Sequence, residues 1–389
     1  MAKGISTTII VIIAVAVVVS ALSLQSFKIN FQIPIQQPPE QSSIKEFPPK
    51  STLETADIKK SPIFDVPCTS NPNPVFQHSF AKLEDIANII PPGEAAGEEI
   101  KPHSYVDLAT ESIPLYAPAD MELVEGAYYS EPPTFKVPST YLLHFQVSCE
   151  VILNLDHITD PVQKIRDVLP KTPSGDTRTI RLNPAVKFKA NELIGYTKGG
   201  GIQNSIPPIN RFDLGLYITT HTNKFVNQNR YVKSYTWKSI NAVCAYDHFS
   251  EELKRAYYAK FSNFERRLVL DAPCRSPNQD VPGTLAGAWF FREDSSAVEF
   301  HVGIALELDK KTFVVAGLPS LHFAIGDSNP TFKDPAEVTT EHCYFDPLNG
   351  NRILYFRLVS PMKVELYDGV SSSGCPTTFP VSGTIFLYR

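Results

Sequence analysis

The sequence has little methionine, 3 in 389 residues, and no excess of either charge, 36 basic side chains standing against 41 acidic ones. Balanced charge excludes the basic surface that nucleic acid needs, so nucleic acid is not an expected partner. Cys-x-x-Cys pairs are absent, as are cysteine–histidine clusters at zinc-finger spacing, which argues against thiolate metal sites. The run "KGGG" (198–201) lacks P-loop spacing and is not followed by a helical pattern. It reads as a turn rather than a phosphate cradle.

Proline, by contrast, is abundant at 33 residues, and aromatic and β-branched side chains alternate with turn clusters. That composition predicts a mainly β protein, and the length allows two folded domains. The N-terminus, "MAKGISTTIIVIIAVAVVVSALSL", carries Lys3 and then an uncharged run from Ile9 to Leu24. As a helix this run spans about 24 Å, short of the ~30 Å hydrocarbon core unless flanking residues contribute, so residues 1–24 read as a membrane anchor or as a signal peptide with Val19-Ser20-Ala21 as its cleavage site. Both readings place the bulk of the chain outside the cytoplasm, with the membrane as a partner through the N-terminal segment.

Cys68, Cys149, Cys244, Cys274, Cys343 and Cys375 are even in number, and in an exported chain they predict disulfides. Several pairings are open; pairing of sequence neighbours is preferred, giving Cys68–Cys149, Cys244–Cys274 and Cys343–Cys375. Residues 25–62 are proline-rich and without apolar periodicity, a semi-extended linker. Residues 63–222 form a first β-rich domain with two expected short helices. One is "KLEDIANII" (82–90), and the other is "DPVQKIRDVL" (160–169), with Asp160 as N-cap. Residues 223–389 form a second, disulfide-stapled β-rich domain with one helix, "DHFSEELKRAYYAKF", capped by Ser250.

"PHSYVDLATESIPLYAPADMELV" places His103 and Asp107 four residues apart, roughly 13 Å along a straight strand, too far to share an ion without a bend. The stretch resembles the first motif of the lysostaphin-type zinc metallopeptidases, His-x-Gly-x-Asp followed by a Tyr-Ala-Pro-Ala-Asp turn. "YLLHFQVSCEVILNLDHIT", "VKFKANELIGYTKGGG" and "INRFDLGLY" resemble later family motifs in order, so the likeness covers about residues 75–218. It implies an antiparallel barrel-sandwich built on the duplicated hybrid motif, with a groove for an extended peptide or glycan. It also implies that His103 and Asp107 match two zinc ligands and His157 a catalytic histidine. The family's His-x-His pair is missing: Ile209 stands at the catalytic position and Arg211 at the third ligand. The segments "CAYDHF" and "VPGTLAGAWFF" resemble the C-terminal part of uncharacterised exported archaeal and bacterial proteins.

A catalytic zinc needs three protein ligands and an open position, and arginine cannot deprotonate to become one. Ile209, Arg211 and Asp213 share one strand face, so Arg211 is expected to point at Asp107 and replace the ion's charge, leaving His157 vestigial. The resulting expectation is a pseudoenzyme: an extracytoplasmic, membrane-tethered protein without a cofactor that binds or scaffolds at the cell surface. Two alternatives stand beside it. One is an active zinc metallopeptidase using His103, Asp107 and His144 or His221, with His157 as acid/base; the other is a structural envelope component. His144 and His301, in apolar strands, read as satisfied core histidines.

Overall fold

The computed structural model describes residues 67–97, 99–201, 209–231, 237–293, 301–318 and 323–389. The expected anchor or signal peptide (1–24) and linker (25–62) lie outside the described residues. Among the described residues, no helix is long and apolar enough to cross a membrane.

The protein is mainly β, as its composition predicts. The largest sheet contains β1 (Ile86–Ile90), β2 (Ser104–Leu108), β3 (Met121–Ser130), β4 (Ser139–Gln146), β5 (Val151–Ile158), β6 (Ile180–Phe188) and β7 (Arg211–Ile218). Their order across the sheet is β1-β2-β7-β5-β4-β3-β6, every pair antiparallel, and the short strand Ala242–Val243 also pairs with β7. Alternation separates the two faces. Val106, Leu143, Phe145, Leu153, Leu155, Phe212, Leu214 and Leu216 fill the core on one side. Each such side chain contributes about 1.5–3 kcal/mol when fully buried. A three-stranded sheet of Ile113–Tyr116, Leu193–Thr197 and Asp160–Pro161 adds Ile113, Leu115 and Ile194 to the same core. The opposite face of the large sheet is mixed: Asp107, Asn154 and Asp213 lie on it beside an apolar cluster of Val124, Ile152 and Tyr217.

Two helix expectations are corrected. Leu83–Asp85 is a single 3-10 turn, and Ile86–Ile90 continues as a strand on the sheet edge, because its β-branched residues pair with 105–108 of β2. In 160–169 only Gln163–Arg166 is helical; Val162 rather than Asp160 stands at the N-cap, and Asp160-Pro161 pairs as a strand. The inward-facing residues there are nevertheless Ile165 and Leu169, both buried. The third helix, Glu251–Tyr258, forms where expected, with Ser250 at the N-cap position but without a side-chain capping bond.

That helix belongs to the first core. Tyr257 stacks on Phe80 at 5.1 Å, and Phe249 and Phe261 are buried in the same cluster. Backbone bridges Phe76–Phe249 and Ile89–Phe261 join the two stretches of chain. The division expected at residues 222 and 223 therefore does not divide the cores: residues 242–274 complete the first. Beyond them, β8 (Gly287–Trp289), β9 (Val302–Leu306), β10 (Thr312–Ala316) and β11 (Phe323–Gly326) form one sheet. A second sheet contains β12 (Glu341–Asp346), β13 (Arg352–Ser360), β14 (Lys363–Val370) and β15 (Thr384–Tyr388). Trp289, Phe313, Tyr344, Phe356 and Leu366 lie in the core they share, where Phe313 stacks on Tyr344 at 3.8 Å.

All three expected disulfides are present, Cys68–Cys149, Cys244–Cys274 and Cys343–Cys375, with Cα separations of 5.0, 5.9 and 5.9 Å. They suit an oxidising compartment. Cys244–Cys274 brackets the helix that completes the first core. Replacing both cysteines by alanine is expected to lower unfolding free energy by about 2–4 kcal/mol. It should also speed amide exchange in 251–258 more than in β13 and β14. Equal acceleration in both regions would show that the bridge does not act locally.

Candidate functional site

The face of the large sheet opposite the first core brings together His103, Asp107, His157, Arg211 and Asp213. β2, β7 and β5 are neighbours, and the register sets Asp107 opposite Arg211, Tyr105 opposite Asp213, and Asp213 opposite Asp156. His103 immediately precedes β2. His157 follows Asp156 and would alternate to the apolar face, but its φ of 62° turns it back. Its Nε2 thereby comes within 3.7 Å of Asp213 Oδ2.

Asp107 is 2% exposed and held by two arginines. Arg211 donates from Nε to Oδ1 at 2.8 Å and from Nη2 to Oδ2 at 3.2 Å. Arg266 Nε lies 3.3 Å from Oδ2. The Arg211 guanidinium also sits over the Tyr105 ring, 5.0 Å from its centroid, and 5.8 Å from that of Phe264. This is the bidentate, stacked setting in which arginine and lysine are not interchangeable. A zinc ion at His103, Asp107 and position 211 does not fit these residues. Both Asp107 oxygens are engaged by fixed cations, and His103 Nε2 is turned to Asp213, 3.0 Å from Oδ2.

Asp213 is the centre of a second network. Burial raises its pKa, but the charges of His103, His157 and Lys101 outweigh that and hold the carboxyl well below its usual range. On His157, burial opposes protonation, while Asp156, Asp213 and a bond to Glu131 prevail and raise its pKa to about 10. His157 Nδ1 lies 2.7 Å from Glu131 Oε1 and 3.2 Å from the Tyr129 hydroxyl. Asp156 Oδ1 accepts from the Tyr129 O–H and from the His157 backbone N–H, both at 2.8 Å. Burial and the adjacent Asp213 charge push the Asp156 carboxyl up, against the pull of His157.

The glycine run "KGGG" serves this packing. Gly199 has φ +66°, and a Cβ there would lie 2.3 Å from the Arg211 carbonyl oxygen. A Cβ on Gly200 would lie 2.7 Å from His157 Nδ1. The run thus lets one backbone segment close over Arg211 and His157.

The other sequence candidates fall elsewhere. Ile209 precedes β7 and is half-buried. His144 is buried on β4 with Nδ1 2.9 Å from Glu125 Oε2. Burial first, then Lys238, lowers its pKa to about 4 despite Glu125. His301 accepts from the Ile100 N–H at 2.8 Å. His221 is exposed and contacts Asn223. Sequence reasoning missed Arg266, Glu131, Asp156 and Tyr129. Asp156 could have been flagged as the acidic neighbour of His157, whereas Arg266 lies in "NFERRLVLD", which carries no motif.

The geometry thus offers a neutralised carboxylate at Asp107 and a carboxylate–imidazole cluster around Asp213. No family model, no curated protein and no solved structure matches the chain.

Proposed function

We propose that the protein acts outside the cytoplasm, tethered to the membrane through its N-terminal segment, as a binding or scaffolding protein of the cell surface. In this reading the first domain is a lysostaphin-type peptidase domain, a barrel-sandwich on the duplicated hybrid motif, that has lost zinc hydrolysis. One observation carries it: Asp107, which the resemblance makes a zinc ligand, is clamped by Arg211 and Arg266. A guanidinium supplies the positive charge that an ion would otherwise supply, but it activates no water. Ile209 provides no imidazole for proton transfer. The disulfides support the extracytoplasmic assignment.

The folded protein is expected to leave cell-wall and surface peptides uncut, with or without added zinc. Arg211→His is expected to remain inactive as well, because Arg266 still claims Asp107 and position 209 stays aliphatic. Product formation by the wild-type protein that a chelator abolishes would overturn the reading.

A further inference from the structure

We propose that Asp156, His157 and Asp213 form a binding site for a divalent transition cation of the zinc class. The site is distinct from the His103–Asp107 position and goes beyond the non-hydrolytic reading. The ligand atoms of the three residues all lie within 4.8 Å of one another. His157 Nε2 and Asp213 Oδ2 are 3.7 Å apart. Two donors bonded to one tetrahedral zinc at about 2.0–2.1 Å are separated by roughly 3.3 Å, so small side-chain rotations close the set.

Three features suit these atoms to an ion. Asp213 is 5% exposed, and its Oδ1 has no hydrogen-bond partner, although a buried carboxylate oxygen without one is costly. Oδ2 of the same carboxylate lies between His103 Nε2, at 3.0 Å, and His157 Nε2, at 3.7 Å. His157 is oriented as metal-bound imidazoles usually are: Glu131 lies 2.7 Å from Nδ1, which keeps a proton there, so the cation binds by displacing the proton on Nε2. Asp156 and Asp213 are directly paired across β5 and β7, where like charges repel. An ion between them removes that repulsion, and Asp156 Oδ2 is its donor, since Oδ1 takes the two N–H and O–H bonds.

The donor set decides the class of ion. One imidazole nitrogen with two carboxylates suits zinc and its first-row neighbours, whereas calcium and magnesium favour all-oxygen shells. Asp107 takes no part, since its oxygens are engaged by the two arginines. The residues stand on adjacent strands of the largest sheet, so the site is set by the ladder rather than by a loop.

The test is titration of the full folded protein, stripped with a chelator, with cobalt(II) followed by absorbance and with zinc(II) by calorimetry. One equivalent is expected to bind. Asp213→Asn and His157→Gln should each weaken binding at least tenfold, and His221→Gln, on the exposed surface, should leave it unchanged. If Asp213→Asn fails to fold by near-ultraviolet circular dichroism, zinc-induced shifts of the His157 imidazole resonances in the wild type replace it. Absence of stoichiometric binding, binding indifferent to His157→Gln, or no shift at His157 would overturn the site. Peptide cleavage would overturn only the non-hydrolytic reading, so the two failures are distinguishable.

Discussion

Replacing Asp107 by alanine is expected to cost about 3–5 kcal/mol of unfolding free energy, measured by urea denaturation, because it leaves Arg211 and Arg266 without their carboxylate. Arg211 is nearly buried between Tyr105 and Phe264, where its charge cannot recover its hydration. The loss should be recovered in part by a triple change, Asp107→Leu with Arg211→Met and Arg266→Met. Removing every member of a buried ion cluster is commonly neutral or stabilising, whereas removing one is not. A change of less than about 0.5 kcal/mol in Asp107→Ala would mean that the cluster is solvated in solution.

Acidification is expected to stabilise the fold through Glu307. This glutamate is 3% exposed, and its carboxylate accepts from the Phe264 N–H at 3.3 Å. Burial, then the neighbouring Glu94 charge, raise its pKa to about 8. An unfolded glutamate titrates near 4.3. Between these values the folded protein binds a proton that the unfolded chain has released, so stability falls as pH rises. The contribution is fully present below about pH 4.3 and is lost as pH passes through about 8, on the order of a few kcal/mol. Glu94 acts in the same direction: burial raises it to about 7 in spite of Arg275. Glu307→Gln should flatten the dependence and raise the thermal midpoint at pH 8. An unchanged slope in that variant would remove Glu307 as its source.

Much of this architecture was legible in the residues. Alternation along 211–218 separated Arg211 and Asp213 from Phe212 and Leu214, and the strand faces follow it. Neighbour pairing of cysteines matched all three bridges. The stretch 86–90 misled because Leu83, Ile86 and Ile90 fit a helical period, while the strand partner that decides the matter, β2, lies outside any local window. The site divided in the same way. Arg211 was placed on Asp107 by the resemblance, which sets it at the third ligand position, together with the alternation of its own strand. Arg266 reaches the same carboxylate from 159 positions further along the chain, and no periodicity reports such a contact. Glu131 and Tyr129 were invisible for a related reason. Their role depends on His157 leaving the alternation of its strand at φ 62°, which sequence does not encode in a recognisable residue.

The closure of the first core by residues 242–274 sets an order on biogenesis. A ribosome delivers β1 to β7 well before Phe249, Tyr257, Phe261 and Arg266 exist. A nascent chain ending at 222 holds Phe76 and Phe80 without their aromatic partners and Asp107 without its second cation. Such an intermediate exposes the apolar surface that chaperones and proteases recognise. The unit that can be committed to the native state is therefore the one ending after Cys274, whose pairing with Cys244 locks the last piece in place.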